Sequence, residues 1–172
     1  MDDGASSFCG MTQSSDDSFD WSMGSGPTPS EETGPDRAYD GSYYIFIEAS
    51  SPRRSGDSAK YDTTVSHILL TTGFPSRIFV PNLDRSGDMC VEFRYNMYGF
   101  HIGTLRLITR NSFNDETTEW EMIGEQGNQW TEQRVTLTDV QRSDLIGFVG
   151  IRADEYSGDI SLDNVRISSG SC

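Results

Sequence analysis

The run from Met89 to Met97 constrains this chain more than any other stretch. In MCVEFRYNM, Val91, Phe93, Tyr95 and Met97 alternate with Cys90, Glu92, Arg94 and Asn96. Side chains of a strand point to opposite faces in turn, so this pattern is a half-buried strand that needs a second apolar layer to pack against. Other segments supply that layer. GTLRLITR sets Leu105 and Leu107 on one face, and Trp120 to Ile123 reads as a short strand. After the turn signal GEQGNQ, WTEQRVTLT alternates through Thr131, Gln133, Val135 and Leu137. LIGFVGIRA is apolar on both faces, as a central strand should be, and DISLDNVRI closes the set.

Upstream, SYYIFIEAS (Ser42 to Ser50) is a β-branched and aromatic run of strand length, and SSPRRSGDSAK after it is rich in turn formers. Residues 1–42 read as an extended loop region pinned by Phe8, Phe19 and Trp21. No stretch carries a 3.6-residue stripe, although QRSDL at 141–145 could form one helical turn. Roughly seven turn-punctuated strands predict an all-β fold of two antiparallel sheets, a jelly-roll or Greek-key β-sandwich with little helix. A chain of 172 residues fits one domain, residues 1–172.

Charge excludes one class of partner. Asp and Glu number 27 against 13 Lys and Arg, for a net charge of −14. Nucleic acids are met by clustered cations, so none is expected as a partner, and anionic lipid surfaces are disfavoured too. The same charge favours divalent cations and basic proteins. No apolar run is long enough to cross a membrane as a helix, and MDDGASSFCG has neither part of a signal peptide. Catalysis finds no footing: G-x-S-x-G, H-E-x-x-H and the P-loop are all missing from the sequence, as is N-x-S/T. No catalytic residue is assigned.

Several segments then line up with one family in order and spacing. CGMTQSSDDSFDW (Cys9 to Trp21) resembles its opening, and TGPD (Thr33 to Asp36) with GSYYIFIEAS its next blocks. CVEFRYNMYGFHIGTLRL (Cys90 to Leu107) resembles its most diagnostic stretch, and W-x-x-x-G-x-Q-G-x-x-W (Trp120 to Trp130) with Val135 to Leu137 fits the middle. GDISLDNVRISSGSC (Gly158 to Cys172) resembles its closing segment. The family is the MAM domain, found in meprin, neuropilin and the mu-type receptor tyrosine phosphatase. The resemblance implies a jelly-roll sandwich in an extracellular adhesion or receptor protein, working through protein partners, homophilic contacts included. Its alternatives are an accessory domain that orients or oligomerises an ectoenzyme, and a carbohydrate-binding jelly roll using Trp21, Trp120 and Trp130 as an aromatic platform.

The resemblance also implies site residues. Members carry four cysteines paired first to second and third to fourth; Cys9 matches the second, Cys90 the third and Cys172 the fourth. A Cys90–Cys172 disulfide is therefore expected, with Cys9 unpaired and the first cysteine upstream of Met1. A loop of that length is worth about 4 to 5 kcal/mol in the chain-entropy model. Tyr61 to Arg77 is an insertion relative to the pattern, either a surface loop or a gene-model artefact, and its VSHILL segment has no place in the sandwich.

No cofactor is required, but a structural calcium is a candidate. Asp163 interrupts the last strand where the apolar phase slips, and Asp159, four residues earlier, faces the same side. Hard cations take oxygen ligands, and Asp20, Asp36 and Asp40 could add more. The simpler alternative has Asp163 capping backbone amides. His101, in a turn before Gly103, reads as a surface or structural histidine.

Overall fold

The computed structural model describes residues 12–13, 17–50, 55–62 and 86–172. Within them the chain forms two antiparallel five-stranded sheets packed face to face. The strands are β1 (Thr12–Gln13), β2 (Ser22–Gly24), β3 (Tyr44–Ile47), β4 (Ser58–Asp62), β5 (Gly87–Tyr98), β6 (Thr104–Arg110), β7 (Glu116–Ile123), β8 (Gly127–Val140), β9 (Leu145–Ile151) and β10 (Asp159–Ser169). One sheet has the order β1-β4-β9-β6-β7; the other, which carries the site, has the order β2-β3-β10-β5-β8.

Alternation decides which residues fill the space between the sheets. Val91, Phe93, Tyr95 and Met97 of β5 join Ile160 and Leu162 of β10 in the core, against Leu105, Leu107, Ile146 and Phe148 from the opposite sheet. Phe93 is the hinge of this packing, with its ring 4.9 Å from Phe148 and 5.2 Å from Trp120, both edge-on. Edge-to-face pairs add to what burial of the rings contributes. The doubly apolar β9 is the middle strand of its sheet, paired with β4 on one side and β6 on the other.

Several local expectations are corrected. Ser58 to Lys60, read as part of a turn-rich stretch, instead open β4, whose residues Ser58 to Tyr61 pair with Phe148 to Ile151. The alternation of β4 is short and weak, Ala59 and Tyr61 between Ser58, Lys60 and Asp62, and pairing with a strong central strand makes it a strand despite that low propensity. Tyr61 and Asp62 thus belong to the sheet; the rest of the expected insertion, through Arg77, lies outside the described residues. The 1–42 region contributes two short strands, β1 and β2. QRSDL makes a turn closed by the Asp144 amide donating to the Gln141 carbonyl at 3.0 Å, then enters β9. The phase slip near Asp163 is a β-bulge: the β10–β5 register shifts between Asp163 and Arg166, with Asn164 at φ 51°. An extra residue in one strand moves every later side chain by one step, which is what the sequence pattern registers.

Candidate functional site

Odd-numbered positions of β5 face the core, so Cys90, Glu92, Arg94, Asn96 and Tyr98 face outward. Cross-strand register extends each into a row across the outer face of the β2-β3-β10-β5-β8 sheet. Ser168–Cys90–Thr136 is one row, Arg166–Glu92–Arg134 the next, and Asp163–Arg94–Glu132 the third. Phe46–Ser161–Asn96 follows. Continuing β3–β10 by one residue sets Glu48, Asp159 and Tyr98 in a last row, and Asp20 lies two residues before the first β2–β3 pair, Ser22 with Phe46. Three different devices close this face from one end to the other.

At the first end a disulfide joins Cys90 to Cys172, with Cα atoms 4.9 Å apart across a sequence separation of 82. It brings the tail back onto the sheet, where the Cys172 amide donates to Thr136 Oγ1 at 3.0 Å. Cys9 lies outside the described residues.

The middle is an ion ladder. Arg134 reaches Glu92 at 3.0 Å and Glu132 at 2.8 Å, and Arg94 pairs with Glu132. Opposite charges placed directly across strands support the pairing, each by a fraction of a kcal/mol where solvent reaches them. A hydrogen bond from Arg134, with the charges of Arg94 and Arg134 behind it, holds Glu132 below the ordinary carboxylate range. The Arg94 guanidinium also sits 4.4 Å from the centre of the Tyr39 ring.

The far end is covered by the 25–43 segment, which lies over the sheet as a lid. Trp130 Nε1 donates to the Arg37 carbonyl at 2.9 Å and Tyr44 Oη to the Gly26 carbonyl at 2.5 Å. The Tyr39 and Asp40 amides donate to Asp163 Oδ2 at 2.7 and 3.0 Å, and the Asn164 amide to Asp163 Oδ1 at 2.6 Å. Thr33 Oγ1 donates to Asp159 Oδ2 at 2.7 Å, and the Ala49 amide to Asp159 Oδ1 at 3.0 Å. Asp159 is fully buried, and that desolvation raises its pKa despite the hydrogen bonds, with the charge of Glu48 adding to the rise. The neighbouring Tyr44 is pushed up to about 12, first by burial and then by the charges of Asp159 and Asp36.

The five candidate aspartates are therefore not drawn together. Asp163 spends both oxygens on backbone amides, Asp36 and Asp40 are exposed on the lid, and Asp159 is held by Thr33 and Ala49. Asp20 alone keeps a buried oxygen, Oδ1, with no hydrogen-bond partner. Glu48, which sequence reasoning missed, has the same property at Oε2, while its Oε1 accepts from Ser30 Oγ and the Ser50 amide. Its position two residues past Phe46 on the outward phase of β3 was the available signal. Among the described residues no three His, Cys, Asp or Glu side chains converge on one point. One row further in, Asn96 and Ser161 face each other, buried, and neither side chain has a hydrogen-bond partner.

The aromatic platform does not form. Trp21 is 2% exposed, Trp120 packs against Phe93 and Tyr95, and Trp130 is turned edge-on to Tyr44 with its N–H engaged. His101 Nδ1 lies 2.8 Å from Ser157 Oγ in a loop at the lidded end.

Comparison with known proteins agrees with this architecture. The 12%-identical K1 adhesin domain of Lys-gingipain from Porphyromonas gingivalis W83 superposes with a TM-score of 0.56 over 92% of this chain and 90% of its own, a likeness of fold alone. The human MAM domain-containing glycosylphosphatidylinositol anchor protein 1 is 35% identical over 174 residues, 95% of this chain. Neuropilin-1a of Danio rerio is 28% identical over 165 residues, 94% of this chain. In both, the match spans 16% of the relative's length. The family model for the MAM domain, meprin/A5/mu, matches residues 2–172, and the chain belongs to that family.

Proposed function

We propose that this MAM domain is an extracellular protein-interaction module of a larger secreted or cell-surface protein, and not an enzyme. The observation that carries the reading is the closure of the outer sheet face by lid, ion ladder and disulfide. With the lid over one end of that face and the three tryptophans wholly or partly buried in packing, the expected tryptophan platform for a glycan does not form there, which favours recognition through the loops. The disulfide fits an oxidising, extracellular setting. The names of the relatives, a glycosylphosphatidylinositol anchor protein and a neuropilin, support a cell-surface context. Service as an orienting domain beside an ectoenzyme would use the same surfaces. The test is binding of the domain, tetramerised on streptavidin, to intact cells. Loss of binding after brief trypsin treatment of the cells is the expected result. Loss after glycosidase treatment alone would replace this reading with the carbohydrate-binding one.

Calcium belongs to the same reading as a proposal, with a revised ligand set. Glu48 is the register neighbour of Asp159, and Glu48 Oε2 and Asp20 Oδ1 are buried oxygens without a partner; the three carboxylates do not converge as they stand, and a hard cation would draw them together. A bound ion would neutralise a buried row of carboxylates and tie β2 to β3 and β10. The expected result is a higher thermal midpoint in calcium than in EGTA, abolished by Glu48→Gln. An unchanged midpoint in the wild-type domain sinks the proposal.

A further inference from the structure

The lidded end carries a second feature that none of these roles uses. Phe100, Ile123 and Tyr156 are 78%, 63% and 61% exposed. Single exposed apolar side chains are ordinary, but Phe100 and Tyr156 sit on loops, and Ile123 ends β7, on backbone segments bonded to one another. The His101 amide donates to the Ser157 carbonyl at 2.9 Å, and the Gly124 amide to the Gly103 carbonyl at 2.9 Å. Phe100 thus stands between the loop of Tyr156 and the turn of Ile123.

The mounting is rigid. A Cβ on Gly103 would lie 1.9 Å from the Ile151 carbonyl oxygen, and one on Gly158 would lie 2.0 Å from that of His101. These loops touch backbone to backbone, and only glycine allows it. Apolar side chains held out on a pre-ordered base lose little freedom when a partner covers them.

Charge and position say what kind of partner fits. The three loops carry exposed Glu125, Asp154 and Glu155. Their one arginine, Arg152, is buried and donates to the Ala49 and Ala153 carbonyls. The nearest other cation in sequence, Arg106 of β6, is paired with Glu121, while Arg53 and Arg54 lie outside the described residues. Cys172 is fixed beside Cys90, eight residues down β5 from Tyr98, about 26 Å away at the rise of a strand. Thr12 likewise pairs with Asp62, at the end of β4 away from these loops.

We propose that Phe100, Ile123 and Tyr156 form the anchor of a docking surface for a basic protein, which offers an apolar pocket rimmed by Lys or Arg. This rests on the interaction reading above. Like charge on a net −14 chain sets a second copy against the tip at a disadvantage. A few central aromatic anchors inside a charged rim are the usual energetic core of an interface.

The test selects a phage-displayed library of random peptides on the immobilised domain. Selected peptides are expected to carry Lys or Arg flanking an apolar residue. Their affinity should fall about tenfold or more in Phe100→Ser/Tyr156→Ser, and measurably in Glu155→Lys. At such exposure the variants should keep the wild-type unfolding midpoint, which separates lost docking from lost folding. Recovery of no basic peptides, or of peptides indifferent to both variants, overturns the proposal. So does Phe100-dependent self-association in sedimentation, which makes the occupant a second copy, or Phe100-dependent binding to phosphatidylcholine vesicles, which makes it a membrane. Trypsin-sensitive cell binding that survives Phe100→Ser/Tyr156→Ser rejects the tip and keeps the interaction reading; no trypsin-sensitive binding by the wild type rejects that reading itself.

Discussion

The two ends of the outer sheet face are held down in opposite ways. At the Cys90 end a covalent bond returns the tail to the sheet, and the flanking charges are exposed and paired. At the Asp159 end no covalent bond holds the lid, and the work falls to a buried carboxylate and a few donors from the lid. A disulfide acts chiefly by limiting the unfolded chain, so it stabilises the whole domain without depending on local polarity. Hydrogen bonds to a buried carboxylate act only in the folded state, and removing one partner orphans the other. The first end should therefore set global stability, and the second should set local opening of the lid.

The largest effect tests the first half of that contrast. Replacing both Cys90 and Cys172 by Ala should lower stability by about 4 kcal/mol, read as the urea midpoint, with the lid amides still protected in hydrogen exchange below that midpoint. Lid amides that exchange as fast as that of Gly170 would break the distinction. Next, Asp159→Ala strips the acceptor from Thr33 Oγ1 and the Ala49 amide and should cost about 2 to 3 kcal/mol, with exchange accelerated across residues 28–43. A uniform acceleration across the core strands would mean that the lid does not open on its own. Trp130→Phe keeps the ring on Tyr44 but loses the bond to the Arg37 carbonyl, for about 1 kcal/mol confined to the lid.

The smallest effect is also the sharpest in sign. The folded pKa of Asp159 lies above its ordinary 3.8, so its contribution is complete below that value and is lost as pH rises through the folded pKa. That of Glu132 lies below 4.5, so its contribution is present above 4.5 and is lost as pH falls through the folded pKa. Between about pH 3 and about pH 7, the stability of wild type relative to Asp159→Asn should decline. Relative to Glu132→Gln it should rise. Slopes of the same sign would show that the two ends do not differ electrostatically.

Much of the fold was readable because alternation is local. Val91 to Met97 announced a half-buried strand, and the doubly apolar LIGFVGI announced a central one, since each pattern depends only on neighbours in the chain. The slip at Asp163 was visible for the same reason, and so was its alternative role as an acceptor for backbone amides. The strand at Ser58 to Asp62 was not visible, because its pairing partner lies some ninety residues away and its own alternation rests on Ala59 and Tyr61 alone, beside a turn-rich run. The candidate site was legible only in part. Asp159 and Asp163 share a face, as a strand dictates, yet one is sealed under the lid and the other serves the lid's backbone.

What the sequence by itself determined is the family, the all-β class and the phase of each strong strand, all of which follow from residue order and period two. The disulfide partnership came from family resemblance, and the geometry that lets it form is tertiary. Only the tertiary structure decided that Glu48 and Asp159 share a row, that the 25–43 segment covers one end of the sheet, and that the backbone carrying Phe100, Ile123 and Tyr156 is bonded together at one end. Each of these depends on register between strands distant in the chain, and register is settled by packing both faces at once.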